Sequence, residues 1–180
     1  MTIRVIAAPA VTLAIAATTV LLATTANAAP PIYAQAGPPA SVDGAPGANV
    51  EAKVLYKLQN PGTYSVTFGR DPLDVIFTAA SPKVTFPAQD SIAVDGIPGG
   101  VSSCAVKPDT GGNELLCSIR PIGDSGPVQL SGDILFRPKV QIADDTSKGE
   151  TYTGGSVLYY GEAGAPGTVT AAVNFQVAVS

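Results

Sequence analysis

The stretch SSCAVKPDTGGNELLCSIRP, residues 102–121, holds both cysteines of the 180-residue chain and decides how the fold is read. Apolar and polar side chains alternate on each side of a turn-rich centre, the pattern of two half-buried strands joined as a hairpin. With the turn centred between Thr110 and Gly111, as a two-residue or a four-residue loop, Cys104 falls directly opposite Cys117. Directly opposed residues of an antiparallel pair have Cα atoms about 4.5–5.5 Å apart, a span that a disulfide bridges. The same register puts Cys104, Val106, Leu115, Cys117 and Ile119 on one face. Ser103, Lys107, Glu114, Ser118 and Arg120 fall on the other. A slip of one residue would turn every apolar member outward, so pattern and cross-link support each other. A structural disulfide is expected on the core side, closing a loop worth about 3 kcal/mol in the chain-entropy account.

Such a bond persists in an oxidising compartment, and the first residues point to one. Arg4 supplies a positive start, Val5 to Ala23 form an apolar run, and Ala26-Asn27-Ala28 fits a small-x-small cleavage pattern. A signal peptide over 1–28 is expected. The rival is an uncleaved membrane anchor, against which stand Pro9, the many Thr and Ala residues and the lack of basic residues after the run. Ten basic and fourteen acidic side chains give a net charge of −4; loss of Arg4 with the leader makes it −5. Neither nucleic acid nor an anionic membrane surface is an expected partner, because both demand clustered Lys and Arg. No later segment is long and apolar enough to insert the mature chain in a membrane.

Residues 29–48, APPIYAQAGPPASVDGAPGA from position 29 onward, are dominated by Pro, Ala and Gly and read as a linker. A single β-sandwich domain is expected over 49–180. In NVEAKVLYKLQ (49–59), Val50, Ala52, Val54, Tyr56 and Leu58 alternate with polar residues, Leu55 being the exception. Asn60-Pro61-Gly62 is a turn by mechanism, so this strand is expected to form a hairpin with Tyr64, Val66 and Phe68. LDVIFTA and KVTFPA read as short strands. VQLSGDILF puts Val128, Leu130, Ile134 and Phe136 on one face with a bulge at Gly132. Pro138, which has no amide to donate, confines RPKVQIA to an edge or a second bulge. In TVTAAVNFQVAV every odd position from Val169 to Val179 is apolar. Turn clusters separate these strands at sandwich-like spacing, giving an all-β, Ig-like antiparallel β-sandwich of roughly seven to nine strands.

The chain contains no histidine. That removes imidazole acid–base chemistry, Ser-His-Asp and Cys-His nucleophiles and most zinc or iron sites, so no catalytic residue and no cofactor is expected. Carboxylate pairs or a Ser-Lys dyad would be the remaining enzymatic routes, the minor-hydrolase alternative. Asp144, Asp145 and Glu150 in ADDTSKGE make a calcium loop worth testing, although Lys148 intrudes and the EF-hand alternation is missing. For a carbohydrate platform the chain offers no Trp, only Tyr152 and Tyr160 as ring candidates.

SSCAVKPDTGGNELLCSIRPIGDSGPVQLSGDILFRPKVQIA resembles bacterial extracellular Ig-like repeat domains, over residues 50 to 143. The shared features are a mid-domain Cys pair on a hairpin and a following strand ending in a Lys-Val step, here Lys139-Val140. The resemblance implies a non-catalytic surface or envelope module for spacing, assembly or adhesion, whose partner is a protein or envelope component. The tail APGTVTAAVNFQVAVS is similar to the closing strand of chaperone-assembled pilins. That resemblance implies a sandwich completed by a strand from the next subunit. A secreted or cell-envelope location follows from either.

Overall fold

The computed structural model describes residues 33–59, 66–68, 72–79, 81–121, 128–130, 132–160 and 172–180. The expected leader, the Asn60-Pro61-Gly62 turn and positions 168–171 of the closing strand lie outside the described residues. Within them the protein is all-β, with fifteen strands and no helix. They are β1 (Tyr33–Ala34), β2 (Ala40–Gly44), β3 (Asn49–Glu51), β4 (Val54–Leu58), β5 (Val66–Phe68), β6 (Leu73–Thr78), β7 (Val84–Thr85) and β8 (Ala93–Asp95). The second half contributes β9 (Gly100–Val106), β10 (Glu114–Pro121), β11 (Val128–Leu130), β12 (Ile134–Arg137), β13 (Lys139–Ile142), β14 (Thr151–Tyr160) and β15 (Val173–Val179).

One layer of the sandwich is a six-stranded sheet in the order β2-β15-β14-β6-β10-β9. The facing layer is made of a four-stranded sheet, β1-β4-β12-β8, and a three-stranded one, β3-β13-β7. These two are joined by more than proximity. Val50 pairs with Val140, Val54 with Phe136 and Tyr56 with Ile134, so β3–β4 keeps a single register along β12–β13. The ladder is interrupted where Pro138 has no amide, while its carbonyl still accepts from Ala52 N at 2.9 Å. A constant register leaves no inserted residue, so Pro138 makes no bulge. Nor is its strand an edge, since β13 lies between β3 and β7. Such interruptions also raise the strand count above the expected seven to nine.

Alternation explains which side each strand buries. Val54, Tyr56 and Leu58 are buried in β4 while Leu55 is exposed, and Val173, Phe175, Val177 and Val179 are buried in β15. Rings bridge the layers: Phe77 lies 6.0 Å edge-on from Phe136, and Phe86 lies 6.4 Å from Phe175. Offset or edge contacts of this kind add to the stabilisation from area burial.

Four further sequence expectations are corrected. The region 29–48 is not wholly a linker: β1 pairs with β4, and β2 pairs with β15. Its small residues hide the strand period, but the edge of β15 supplies the ladder that holds it. That β2–β15 pair is parallel, an exception to the antiparallel plan. β4 does not form a hairpin with β5, because β1 and β12 fill both of its sides; β5 pairs with β11 instead. The expected bulge at Gly132 is a break between β11 and β12, where Asp133 Oδ1 accepts the Leu58 amide at 3.0 Å and ends the β4 ladder.

The terminal strand β15 has a neighbour on each side, β14 and β2, both from the same chain. The position that a strand-donation scheme leaves open beside the last strand is therefore filled.

Candidate functional site

The cysteine hairpin stands as the sequence registers it. Cys104 faces Cys117, Ser103 faces Ser118 and Val106 faces Leu115. The sulfurs are bonded and the Cα atoms are 4.1 Å apart. Cys117 is fully buried and Cys104 is 9% exposed, so the staple sits on the core side. Lys107 N donates to Glu114 O, whereas Cys104 N donates to Asp90 O, outside the hairpin. The cysteines thus occupy a non-hydrogen-bonded pair, where side chains come closest.

The loop is longer than expected, running from Pro108 to Asn113. Its last carbonyls are engaged elsewhere: Gly112 O accepts Phe86 N and Asn113 O accepts Ala79 N, both at 2.8 Å. These bonds hold the loop against the neighbouring strands rather than letting it close tightly. Asp109, at φ 63°, and Gly112, at φ 82°, supply the left-handed turns.

β9 is an edge strand, and its free side is blocked. Besides the Cys104 amide, Ser102 Oγ donates to Ile92 O and accepts from Ile92 N. Backbone pairing with a second chain is closed off at these positions, leaving the sheet's outer face as the available surface.

That face carries an unexpected feature. Ala105, Leu116, Ile76 and Val157 lie directly opposite one another on β9, β10, β6 and β14. All four belong to the solvent side, opposite the buried set of Leu115, Cys117, Val75, Phe77 and Leu158. They form an unbroken apolar row across four strands. Leu116 is 36% exposed and Val101, farther along β9, is 52% exposed. A shallow groove of about 320 Å³ runs over Ala105, Leu116 and Ile76 of the row, with Lys107, Pro108 and Glu114 at one rim. A second depression continues past Ala105 and Leu116 to Ser103, Ser118 and Arg120.

Charge is arranged around this row rather than in it. Lys107 Nζ bonds Glu114 Oε2 at 2.7 Å, neutralising that rim, and Arg120 is exposed at the other end. Ser118 donates to the buried carboxylate of Asp74 in the adjacent row. An apolar strip with a polar, nearly neutral rim provides contact area and hydrogen bonds for another macromolecule.

The residues nominated as a calcium loop are engaged separately. Asp145 pairs with Lys83 at 3.3 Å. Glu150 Oε2 accepts the Ser147 amide at 2.8 Å and the Tyr152 hydroxyl at 2.6 Å. Asp144 Oδ1 lies over Gly47. Among the described residues no three acidic, His or Cys side chains are grouped to hold a metal ion. The backbone amide and the Tyr152 hydroxyl stabilise the Glu150 carboxylate and lower its pKa. The same bond pushes Tyr152 up to about 12.

Tyr152 is half-buried, packed against the core, and does not offer a free ring. Tyr160 pairs with Leu73 in the ladder, and its ring lies outside the described side chains. Its neighbour Tyr159 is half-exposed on the outer face, opposite Asp74. Among the described residues no helix is long and apolar enough to cross a membrane.

Sequence reasoning did not select Leu116. Its signal was present: in a strand buried on one face, the pair Leu115-Leu116 must turn one leucine outward. The partners of Leu116 on β6 and β14 carry no such mark.

No family model matches the chain, and no curated protein matches it. Among solved structures, it is similar to the collagen-binding domain from a Staphylococcus aureus adhesin, at 15% identity and a TM-score of 0.40, covering 84% of this chain and 99% of that one. It is also similar to AvmM, described as catalysing macrocyclisation in alchivemycin A biosynthesis, at 11% identity and a TM-score of 0.37, covering 83% and 97%.

Proposed function

We propose that the chain is an exported, non-catalytic β-sandwich module of the cell surface or envelope, acting by protein contact through the outer face of β9, β10, β6 and β14. The row Ala105-Leu116-Ile76-Val157 carries the proposal. Solvent-facing sheet positions normally alternate to polar residues, and an apolar row kept there at a cost in solubility is explained by a partner that covers it. The disulfide beneath ties β9 to β10 and keeps that surface in register. Export accounts for the leader pattern and for the bond itself. The absence of histidine from the sequence and the engagement of Asp145 and Glu150 in local contacts support a binding role over catalysis.

The test is capture from the native cell envelope with the mature domain as bait, beside Leu116→Asp. A protein retained by the parent and lost by the variant, with both melting alike, is the expected outcome. Equal capture by both would remove this face as the site. The mass of the exported protein tests the leader separately: it should begin after Ala28, and a retained Met1 would overturn cleavage.

A further inference from the structure

We propose that the outer face of β3–β4 and β12–β13, on the layer opposite the apolar row, binds an acidic protein segment that carries an apolar residue between two carboxylates. The single register of these strands sets out what lies there. Leu55 faces Leu135, and Glu51 faces Lys139. Between those pairs, where Pro138 interrupts the ladder, the same register puts Lys53 opposite Arg137. Alternation turns these side chains outward, away from the buried Ala52, Val54, Tyr56, Phe136 and Val140. Lys57 follows Leu55 on the same side and is exposed, as is Lys53. Leu55 is 37% exposed and Leu135 is half-buried, so two leucines sit side by side among cations. These cations are scattered along the sequence, and only the strand register brings them to one face.

The charges are not arranged as the fold alone would have them. Like charges directly opposite one another on adjacent strands destabilise the pair, yet Lys53 and Arg137 are so placed. Arg137 is drawn to Asp95 on β8, while neither Lys53 nor Lys57 has an ion pair among the described residues. The other carboxylates of this face are committed or remote: Asp133 Oδ1 holds the Leu58 amide, and Glu51 lies opposite Lys139 at the far end. Two unmatched lysines thus flank an exposed leucine on a chain whose net charge is −4. A local rule broken without gain to the fold marks a functional surface. Each lysine is two residues, about 7 Å, from Leu55 along the strand. The complement is a carboxylate on each lysine and an apolar side chain over the Leu55–Leu135 pair. An extended segment presents three such groups on one side at alternate positions. A phosphate polymer or a layer of lipid headgroups would match the lysines and leave the leucines against polar groups.

The probe is the peptide Glu-Ser-Leu-Ser-Glu, blocked at both ends, titrated into the exported protein while backbone amide shifts are followed by nuclear magnetic resonance. Saturable shifts at Lys53, Leu55, Lys57 and Leu135, which fade as salt is added, are the expected result. Lys53→Glu combined with Lys57→Glu should weaken binding about tenfold or more. Serine in place of the probe's leucine should weaken it as well. Leu116→Asp, on the other layer, should leave the binding unchanged, so a failure here does not touch the contact face of β9 and β10. No shifts, shifts that map elsewhere, or binding that survives the double lysine variant or the loss of the probe's leucine would overturn the proposal. So would attachment to phosphatidylglycerol vesicles or duplex DNA in preference to the peptide. Lys53→Gln should melt above the parent in low salt, the gain vanishing in high salt. An equal or lower melting temperature would refute the opposition between Lys53 and Arg137 and the proposal with it.

Discussion

Tyr56 and Ser156 meet hydroxyl to hydroxyl at 2.8 Å between the two layers, one on β4 and the other on β14. Ser156 Oγ donates onward to Val173 O at 3.1 Å, so its proton is committed and Tyr56 is the donor to Ser156. Both residues are buried, where a hydrogen bond contributes about 1 kcal/mol net and a deserted partner costs about 1–3 kcal/mol. Tyr56→Phe removes the bond to Ser156 and leaves Ser156 joined to Val173. Ser156→Ala removes both. Ser156→Ala should therefore lower stability in urea unfolding more than Tyr56→Phe, with the double variant less destabilised than the sum. Equal single effects that add would show that the two hydroxyls are not coupled.

The disulfide prediction concerns access as well as energy. Replacing both cysteines by Ala should lower stability by about 2–4 kcal/mol, seen as an earlier denaturant midpoint. With Cys117 fully buried, reductant should open the bond only through unfolding. Thiol labelling without reductant should therefore give none, even in denaturant. Two thiols labelled under those conditions would refute the bond.

Gly154 faces Phe175 in the β14–β15 register, and the ring lies across it. A Cβ built at Gly154 would come within 2.2 Å of the Phe175 ring. The same ring contacts Phe86 across the core, so it has little room to retreat. Gly154→Ala should destabilise by about 1–3 kcal/mol, the usual range for overpacking, despite the gain in strand propensity. Gly155→Ala is the control, since its added carbon meets Asn174 Oδ1 at an ordinary 3.5 Å. Equal melting temperatures for the two variants would contradict this packing.

How much of this was legible beforehand depends on the reach of each contact. The hairpin register could be read because the cysteines, the alternation and the turn all lie within twenty residues and agree. The buried faces of β4 and β15 were readable for the same local reason. β2 was not, because only Val42 among Ala40, Val42 and Gly44 is large enough to mark a period; what fixes it is β15, more than a hundred residues away. The β4–β5 hairpin looked plausible from Asn60-Pro61-Gly62 alone. It failed because both flanks of β4 are filled by distant segments, which no local pattern announces. The apolar row had the same obstacle: Leu116, Ile76 and Val157 each look like a minor irregularity in their own strand.

The Glu150–Tyr152 pair gives stability a dependence on pH at both ends of the scale. Glu150 has a folded pKa below its usual 4.5, so its contribution is present above that value and is lost as pH falls through the folded pKa. Tyr152 has a folded pKa raised from 10.0 to about 12, so its contribution is complete below 10 and disappears as pH climbs towards 12. Tyr33, buried and close to Asp133, is likewise raised to about 12. Ultraviolet titration of the native protein should show Tyr33 and Tyr152 ionising near 12, and Tyr152→Phe should remove its own late step. Glu150→Gln should return Tyr152 towards 10 and flatten the acid limb of the stability profile. If Tyr152 still titrates late in Glu150→Gln, the carboxylate is not the cause of its shift, and the bond between them does not form in solution.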